Sequence, residues 1–147
     1  MRKIFFGLLV LSLCLVGCSS KTTTVYTKSD SGYYAVKITL ESTENKLSTI
    51  NFSTNTKTKQ SSSVLKSYKK SFNYLKNTYG KYKGVALTYK IKNDKFYQYV
   101  DIDMEKISAK NAYIFAMAKQ TKTGYKKLTL KEAKGYFKAQ GYKLSKD

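Results

Sequence analysis

The spacing of the apolar residues changes twice along the chain, and this change restricts the fold more than any other feature. Apolar and polar residues alternate from Tyr34 to Glu41, which is the period of a strand with one buried face. Apolar residues then recur every three or four positions from Ser61 to Tyr79, as on one face of a helix. The alternation returns from Gly84 to Glu105. This order of strands, helix and strands, with further helices after it, predicts an α+β fold with an antiparallel sheet.

The helix predicted over Ser61–Tyr79 has signals at both ends. Serines 61–63 supply an N-cap, and Gly80 is a typical stop. Steps of about 100° per residue separate an apolar stripe from a basic face. The stripe contains Val64, Leu65, Tyr68, Phe72, Leu75 and Tyr79, and the opposite face contains Lys66, Lys69, Lys70, Asn73, Lys76 and Asn77.

Two strands on the C-terminal side of this helix are predicted to form a hairpin. Gly84–Lys92 and Lys95–Glu105 are separated by Asn93 and Asp94, residue types that accept the positive φ of a two-residue turn. Pairing Lys92 with Lys95 collects nearly all the apolar side chains on one face. That face contains Val85, Leu87, Tyr89, Ile91, Phe96, Gln98, Val100 and Ile102.

The remaining segments complete the predicted domain, residues 33–147. A strand at Leu47–Ser53 pairs back on the strand at Tyr34 through the polar turn Ser42–Lys46. A short helix is expected over Ile107–Ala118, and a capping box at Thr129 opens a last helix that Gly141 ends. We therefore expect one long amphipathic helix and one or two shorter C-terminal helices, packed on one face of the sheet.

The N-terminal residues have the pattern of a bacterial lipoprotein signal. A basic start precedes the apolar run Ile4–Val16, which is shorter than the roughly 20 residues that span a bilayer. The run ends in Leu15-Val16-Gly17-Cys18, which resembles the lipobox: cleavage follows Gly17, and the Cys18 sulfur receives a diacylglyceryl group. Residues 1–17 are then a signal peptide, and residues 18–32 are a lipidated cysteine with a Ser/Thr/Lys-rich tether, in which a short edge strand is expected at Thr24–Lys28.

The absence of certain side chains restricts the function. The chain has no His, and after lipidation it has no free thiol, because Cys14 leaves with the signal peptide. The commonest general base and metal ligand are thus missing, and so are disulfides. We expect a non-enzymatic protein without a cofactor on the outer face of the plasma membrane. The excess of Lys, Tyr, Asn and Ile over Gly, Ala, Arg and Pro is typical of an AT-rich genome and favours a Gram-positive cell.

The net charge of +19 suggests anionic partners. No acidic residue lies between Asn45 and Asn93, so the helix lysines have no intrahelical partner at i±4. One interpretation is that these lysines face solvent without a ligand and that their number reflects the base composition of the genome. The other is binding to lipid headgroups or to an anionic envelope polymer such as teichoic acid. Nucleic acid is disfavoured by the location and by the absence of Arg after the signal peptide. The lysines concerned are Lys66, Lys69, Lys70 and Lys76.

A second candidate site consists of three carboxylates at alternate positions of one predicted strand. Asp101, Asp103 and Glu105 would point to the same face, where they suggest a divalent-cation or small-ligand site. Strand neighbours two positions apart lie about 7 Å from each other, so one ion would need further ligands. The alternative interpretation is that lysines from a neighbouring strand or from the tether neutralise these carboxylates.

Four further segments stand out: the run Tyr79-Gly-Lys-Tyr-Lys-Gly-Val85, Leu87-Thr-Tyr89, Val100-Asp-Ile-Asp-Met-Glu-Lys106 and the closing helix before Gly141-Tyr142. These segments resemble the YehR-like family of short bacterial lipoproteins of uncharacterised function. The resemblance covers most of the mature chain and includes the lipobox. It implies a lipid-anchored α+β domain, and the shared segments carry no catalytic residue.

Overall fold

The computed structural model describes residues 21–29 and 33–145, and it confirms the predicted α+β fold. The elements are β1 Lys21–Ser29, β2 Tyr34–Thr43, β3 Lys46–Thr56, α1 Ser62–Tyr79, β4 Val85–Lys92, β5 Lys95–Asp103, α2 Ala109–Ile114, β6 Ala118–Thr121, β7 Gly124–Lys127, α3 Leu130–Ala139 and β8 Lys143–Leu144. In this part of the chain, six strands form an antiparallel sheet in the order β4-β5-β3-β2-β1-β8, and β6 and β7 form a separate hairpin.

The sheet buries the face that the alternation predicts. Lys92 pairs with Lys95, as expected for the turn at Asn93 and Asp94, both of which have positive φ. Cross-strand pairs then align the apolar side chains of β2, β3, β4 and β5 on one side. The centre of the core is completely buried and contains Ile38, Leu40, Ile50 and Ile102.

Helix α1 packs its predicted stripe against β4 and β5. The Ser61 side chain accepts a hydrogen bond from the backbone N–H of Val64, which confirms the N-cap. Phe72 is 2% exposed, and its ring contacts those of Tyr89 and Phe96. Leu75, at the edge of the stripe, is 37% exposed. Aromatic side chains thus attach the helix to the sheet.

The other face of the sheet is open in the described part of the chain. Along β2, β4 and β5, the residues that point away from the core alternate with the core residues, and all of them are at least partly exposed. Tyr97 and Tyr99 stand on this open face, with the Lys90 Nζ atom 5.5 Å from each ring centroid. These tyrosines therefore belong to the solvent-facing side of the sheet rather than to the core.

The structured chain begins earlier than the predicted boundary at Tyr33. Residues 21–29, assigned to the tether by their Ser/Thr/Lys content, form the nine-residue strand β1, which is longer than the expected edge strand. β1 pairs with β2 along its whole length, and β8 covers part of its other edge. Threonine favours strands, and the buried Tyr26 ring packs on Phe137 with centroids 6.1 Å apart. Packing against α3 is the contact that composition did not reveal.

The segment Ile107–Ala118 is not one helix. α2 spans only Ala109–Ile114, because Ala116 adopts a left-handed conformation with φ 58° and the backbone N–H of Met117 bonds back to Ala112 O. Met117 and Ala118 are then buried, and the chain continues into the β6–β7 hairpin, which was not predicted.

Helix α3 confirms the predicted capping box. The Thr129 hydroxyl accepts from the Glu132 backbone N–H, and the Glu132 carboxylate accepts from the Thr129 backbone N–H. The same carboxylate pairs with the Lys119 ammonium on β6. The helix ends at Ala139, just before Gly141 with φ 80°. Glu132 therefore joins the start of α3 to the hairpin.

Acid should weaken this junction. The hydrogen bond from Lys119, followed by those from Thr129, lowers the pKa of Glu132 from 4.5 to about 2. A pKa that is lower in the folded state means that stability is present above pH 4.5 and is lost as the pH falls towards 2. We expect Glu132→Gln to reduce the pH dependence of unfolding in this range, measured by circular dichroism. The effect is modest because the pair is exposed. The exposed turn variant Glu44→Gln is the control, and equal flattening in both variants would contradict the prediction.

Candidate functional site

The outer side of α1 presents a surface of one sign, here called the α1 lysine face and defined by Lys66, Lys69, Lys70 and Lys76. All four side chains are exposed, as predicted. Within residues 21–29 and 33–145, none of them forms an ion pair. Hydroxyl and amide groups accompany three of them in a shallow depression, which is lined by Ser63, Lys66, Ser67, Lys69, Lys70 and Asn73. The arrangement suits a ligand with several negative charges.

The ion pairs of the described residues all lie away from α1. Their nitrogen–oxygen distances are 2.9 Å for Lys21–Glu41, 3.4 Å for Lys46–Glu105, 2.6 Å for Lys106–Asp103 and 2.5 Å for Lys119–Glu132. The first three lie at the end of the sheet that carries the β2–β3 turn, and the fourth joins α3 to β6. Four of the described carboxylates are thus neutralised by lysines that lie away from α1, and none of the four lysines of the α1 lysine face has a carboxylate partner in the described part of the chain.

Of the three carboxylates predicted to share one face of a strand, only two do so. Asp101 and Asp103 share the open face of β5, but the strand ends at Asp103, so Glu105 lies beyond it and the strand predicted to reach Glu105 is too long. Asp103 Oδ1 accepts from the backbone N–H groups of Glu105 and Lys106, which turns the chain away from the sheet. The Lys106 side chain lowers the pKa of Asp103.

Each of these carboxylates has its own neighbour. Asn51 Nδ2 on β3 donates to Asp101 Oδ1 at 2.5 Å, and Lys46 at the start of β3 pairs with Glu105. Among the described residues, no group of three or more His, Cys, Asp or Glu side chains is placed to hold a metal ion. The neighbouring strand thus supplies both an amide and a lysine, and the three carboxylates are not brought together.

A cleft between α1 and the sheet was not predicted. It encloses about 270 Å³, and its lining contains no lysine or carboxylate. Across its mouth the Tyr34 and Tyr68 hydroxyls are 2.9 Å apart, and this hydrogen bond raises the pKa of Tyr34. Three polar side chains on core-facing positions, Thr54, Thr56 and Gln98, line it. These three polar positions on the mainly apolar face of the sheet are the sequence signal for the cleft, whose lining suits an uncharged group.

The proposed lipidation site lies outside the described residues. Gly17 and Cys18 precede Lys21, where the described chain begins. The helices in residues 21–29 and 33–145 all lack the length and apolar character needed to cross a bilayer.

Comparison with known proteins identifies the fold. No protein-family model and no curated protein sequence matches the chain. The NMR structure of Escherichia coli YehR is similar with a TM-score of 0.69 and 20% identity, over 88% of this chain and 94% of that one. An NMR structure of a Streptococcus pneumoniae TIGR4 protein is similar with a TM-score of 0.56 and 13% identity, over 99% of this chain and 97% of that one. The chain therefore has a YehR-like fold.

Proposed function

We propose that the chain is a lipoprotein of the YehR-like family, held on the extracytoplasmic face of the plasma membrane by diacylglyceryl-Cys18, where it binds anionic envelope polymers through the α1 lysine face. The resemblance of several segments, the lipobox-like Gly17-Cys18 and the YehR-like fold support the family and the anchor. Two buried acyl chains make attachment stable, whereas one chain alone is marginal. We propose no catalysis and no cofactor.

One observation carries the binding role: the four lysines of α1 are exposed and form no ion pair among the described residues, although four carboxylates elsewhere pair with other lysines. From Lys66 to Lys76 the face extends about 15 Å at 1.5 Å rise per residue. A linear polymer with repeated phosphates matches a row of this length better than a single small anion does. The alternative of a cation or small-ligand site on the acidic strand is less well supported, because Asp101, Asp103 and Glu105 each have a separate partner.

The test is polymer binding by the lipidated protein held in nanodiscs of neutral lipid. Binding of purified teichoic acid is measured by calorimetry at low and high salt. A lysine near an anionic surface contributes around 1 kcal/mol, so replacing all four lysines of the face with Gln should weaken binding on the order of 1,000-fold at low salt. High salt should weaken binding by the unchanged protein, because it screens exposed charges.

A matched variant separates this surface from the total charge. Replacing four other exposed lysines by Gln lowers the net charge equally but leaves α1 intact; these are Lys110, Lys122, Lys126 and Lys138. We expect this variant to retain most of its affinity. Equal losses in both variants would show that the charge is only compositional, and unchanged binding by the α1 variant would exclude the proposed surface.

A further inference from the structure

The chain leaves little distance between the proposed anchor and the sheet. β1 begins at Lys21, three residues after Cys18, and three residues span at most about 10 Å. Lys21 pairs with Thr43, directly beside the β2–β3 turn at Glu44 and Asn45. The acyl chains on Cys18 would therefore hold this particular end of the sheet close to the bilayer surface, with no long tether between them.

Lysines border the same end of the molecule. The first turns of α3 lie beside the β2–β3 turn, and Asn45 lines one surface depression together with Thr129, Lys131 and Lys134. Within the described residues, neither Lys131 nor Lys134 forms an ion pair. Of the acids at this end, Glu41 pairs with Lys21 and Glu105 with Lys46, and Glu44 in the turn forms no ion pair within the described residues. Two unpaired lysines against one unpaired glutamate thus leave a net positive charge at the end that the anchor holds at the lipid.

We infer that this end of the domain docks on the bilayer, with Lys131 and Lys134 contacting the phosphates of anionic lipid headgroups. The inference rests on the proposed lipidation of Cys18. The partner of this end of the domain is the membrane surface. The short stretch of chain before Lys21 brings that surface within reach, and the negative charge of anionic headgroups is opposite to that of the two lysines.

Docking in this way also orients α1. The helix ends at Tyr79, and a short loop leads to β4, which starts with Val85 opposite Ile102 at the membrane end of the sheet. Lys66 is therefore about 15 Å farther along the helix from the membrane end than Lys76. The α1 lysine face then runs outward from the bilayer, where a polymer can lie along it, rather than flat on the headgroups.

The test uses the lipidated full chain in vesicles of phosphatidylcholine with phosphatidylglycerol. Lipidation leaves no other free thiol, so a fluorophore can be attached at Lys46→Cys or Lys92→Cys, which exchange the same residue at exposed positions about 30 Å apart along the sheet. We expect a quencher on the lipid headgroups to quench the Lys46→Cys label several-fold more strongly. Equal quenching in a protein that mass spectrometry shows to be lipidated would overturn docking and leave the anchor intact. An unmodified Cys18 would overturn both.

A second pair of variants tests the two lysines. Lys131→Gln with Lys134→Gln should reduce the quenching at position 46 in the anionic vesicles, because each lysine near an anionic surface favours contact about fivefold. The control variant Lys138→Gln with Lys143→Gln removes the same charge from exposed positions, one in the last turn of α3 and one beyond it. This variant should leave the quenching at position 46 unchanged. The wild-type protein should also be quenched less in phosphatidylcholine alone. Unchanged quenching in the Lys131 and Lys134 variant would exclude the proposed headgroup contacts.

Discussion

Phe72→Ala is expected to lower the free energy of unfolding by about 3–5 kcal/mol, as is usual for a buried phenylalanine. The side chain is 2% exposed, and its ring centroid lies 5.2 Å from that of Tyr89 and 6.2 Å from that of Phe96. It therefore attaches α1 to both strands of the β4–β5 hairpin. Truncation removes these contacts and leaves a cavity that the rigid strands cannot fill. Urea unfolding followed by circular dichroism measures the loss.

The control for this variant lies two residues along the same helix. Tyr74 is 70% exposed, so Tyr74→Ala removes an aromatic ring from α1 without opening the core. Surface substitutions of this kind usually change stability by less than about 0.5 kcal/mol. Similar losses in the two variants would mean that α1 does not pack through Phe72.

Cys18→Ser should abolish lipidation completely. The diacylglyceryl group needs a sulfur nucleophile at this position, and a serine hydroxyl does not replace it. Cells that express the variant with labelled palmitate should show no label on the protein, and its N-terminal sequence should no longer start at residue 18. The unchanged protein should carry the label and remain with the membrane fraction, since two acyl chains give stable attachment.

The only other cysteine supplies the control. Cys14 is preceded by the bulky Leu13 and lies within the proposed signal peptide, so Cys14→Ser should incorporate palmitate as the unchanged protein does. Label that persists in Cys18→Ser and disappears in Cys14→Ser would show that Cys14, and not Cys18, carries the lipid. Absence of label from all three proteins would remove the anchor from the proposed function.

Local patterns predicted the parts of the fold that depend on neighbours in sequence. The Ser61 cap, the capping box at Thr129 and the pairing of Lys92 with Lys95 are all confirmed. The errors occurred where distant contacts outweigh composition. The Thr-rich β1 is ordered by pairing with β2 and by packing of Tyr26 on Phe137, neither of which a short window reveals. The β6–β7 hairpin follows from burial of Met117 beside α2.

The candidate sites divide in the same way. The basic face of α1 and the lipobox-like run before Cys18 could be predicted from the sequence, because helical spacing and cleavage-site chemistry are properties of residues close together in the chain. Three features became visible in the folded chain alone: which lysines are paired, the position of Glu105 beyond the end of β5, and the cleft that Thr54 and Gln98 line. Only the tertiary structure places Lys21 beside the β2–β3 turn. These features join residues that are distant in sequence, and pairing across the sheet brings them together.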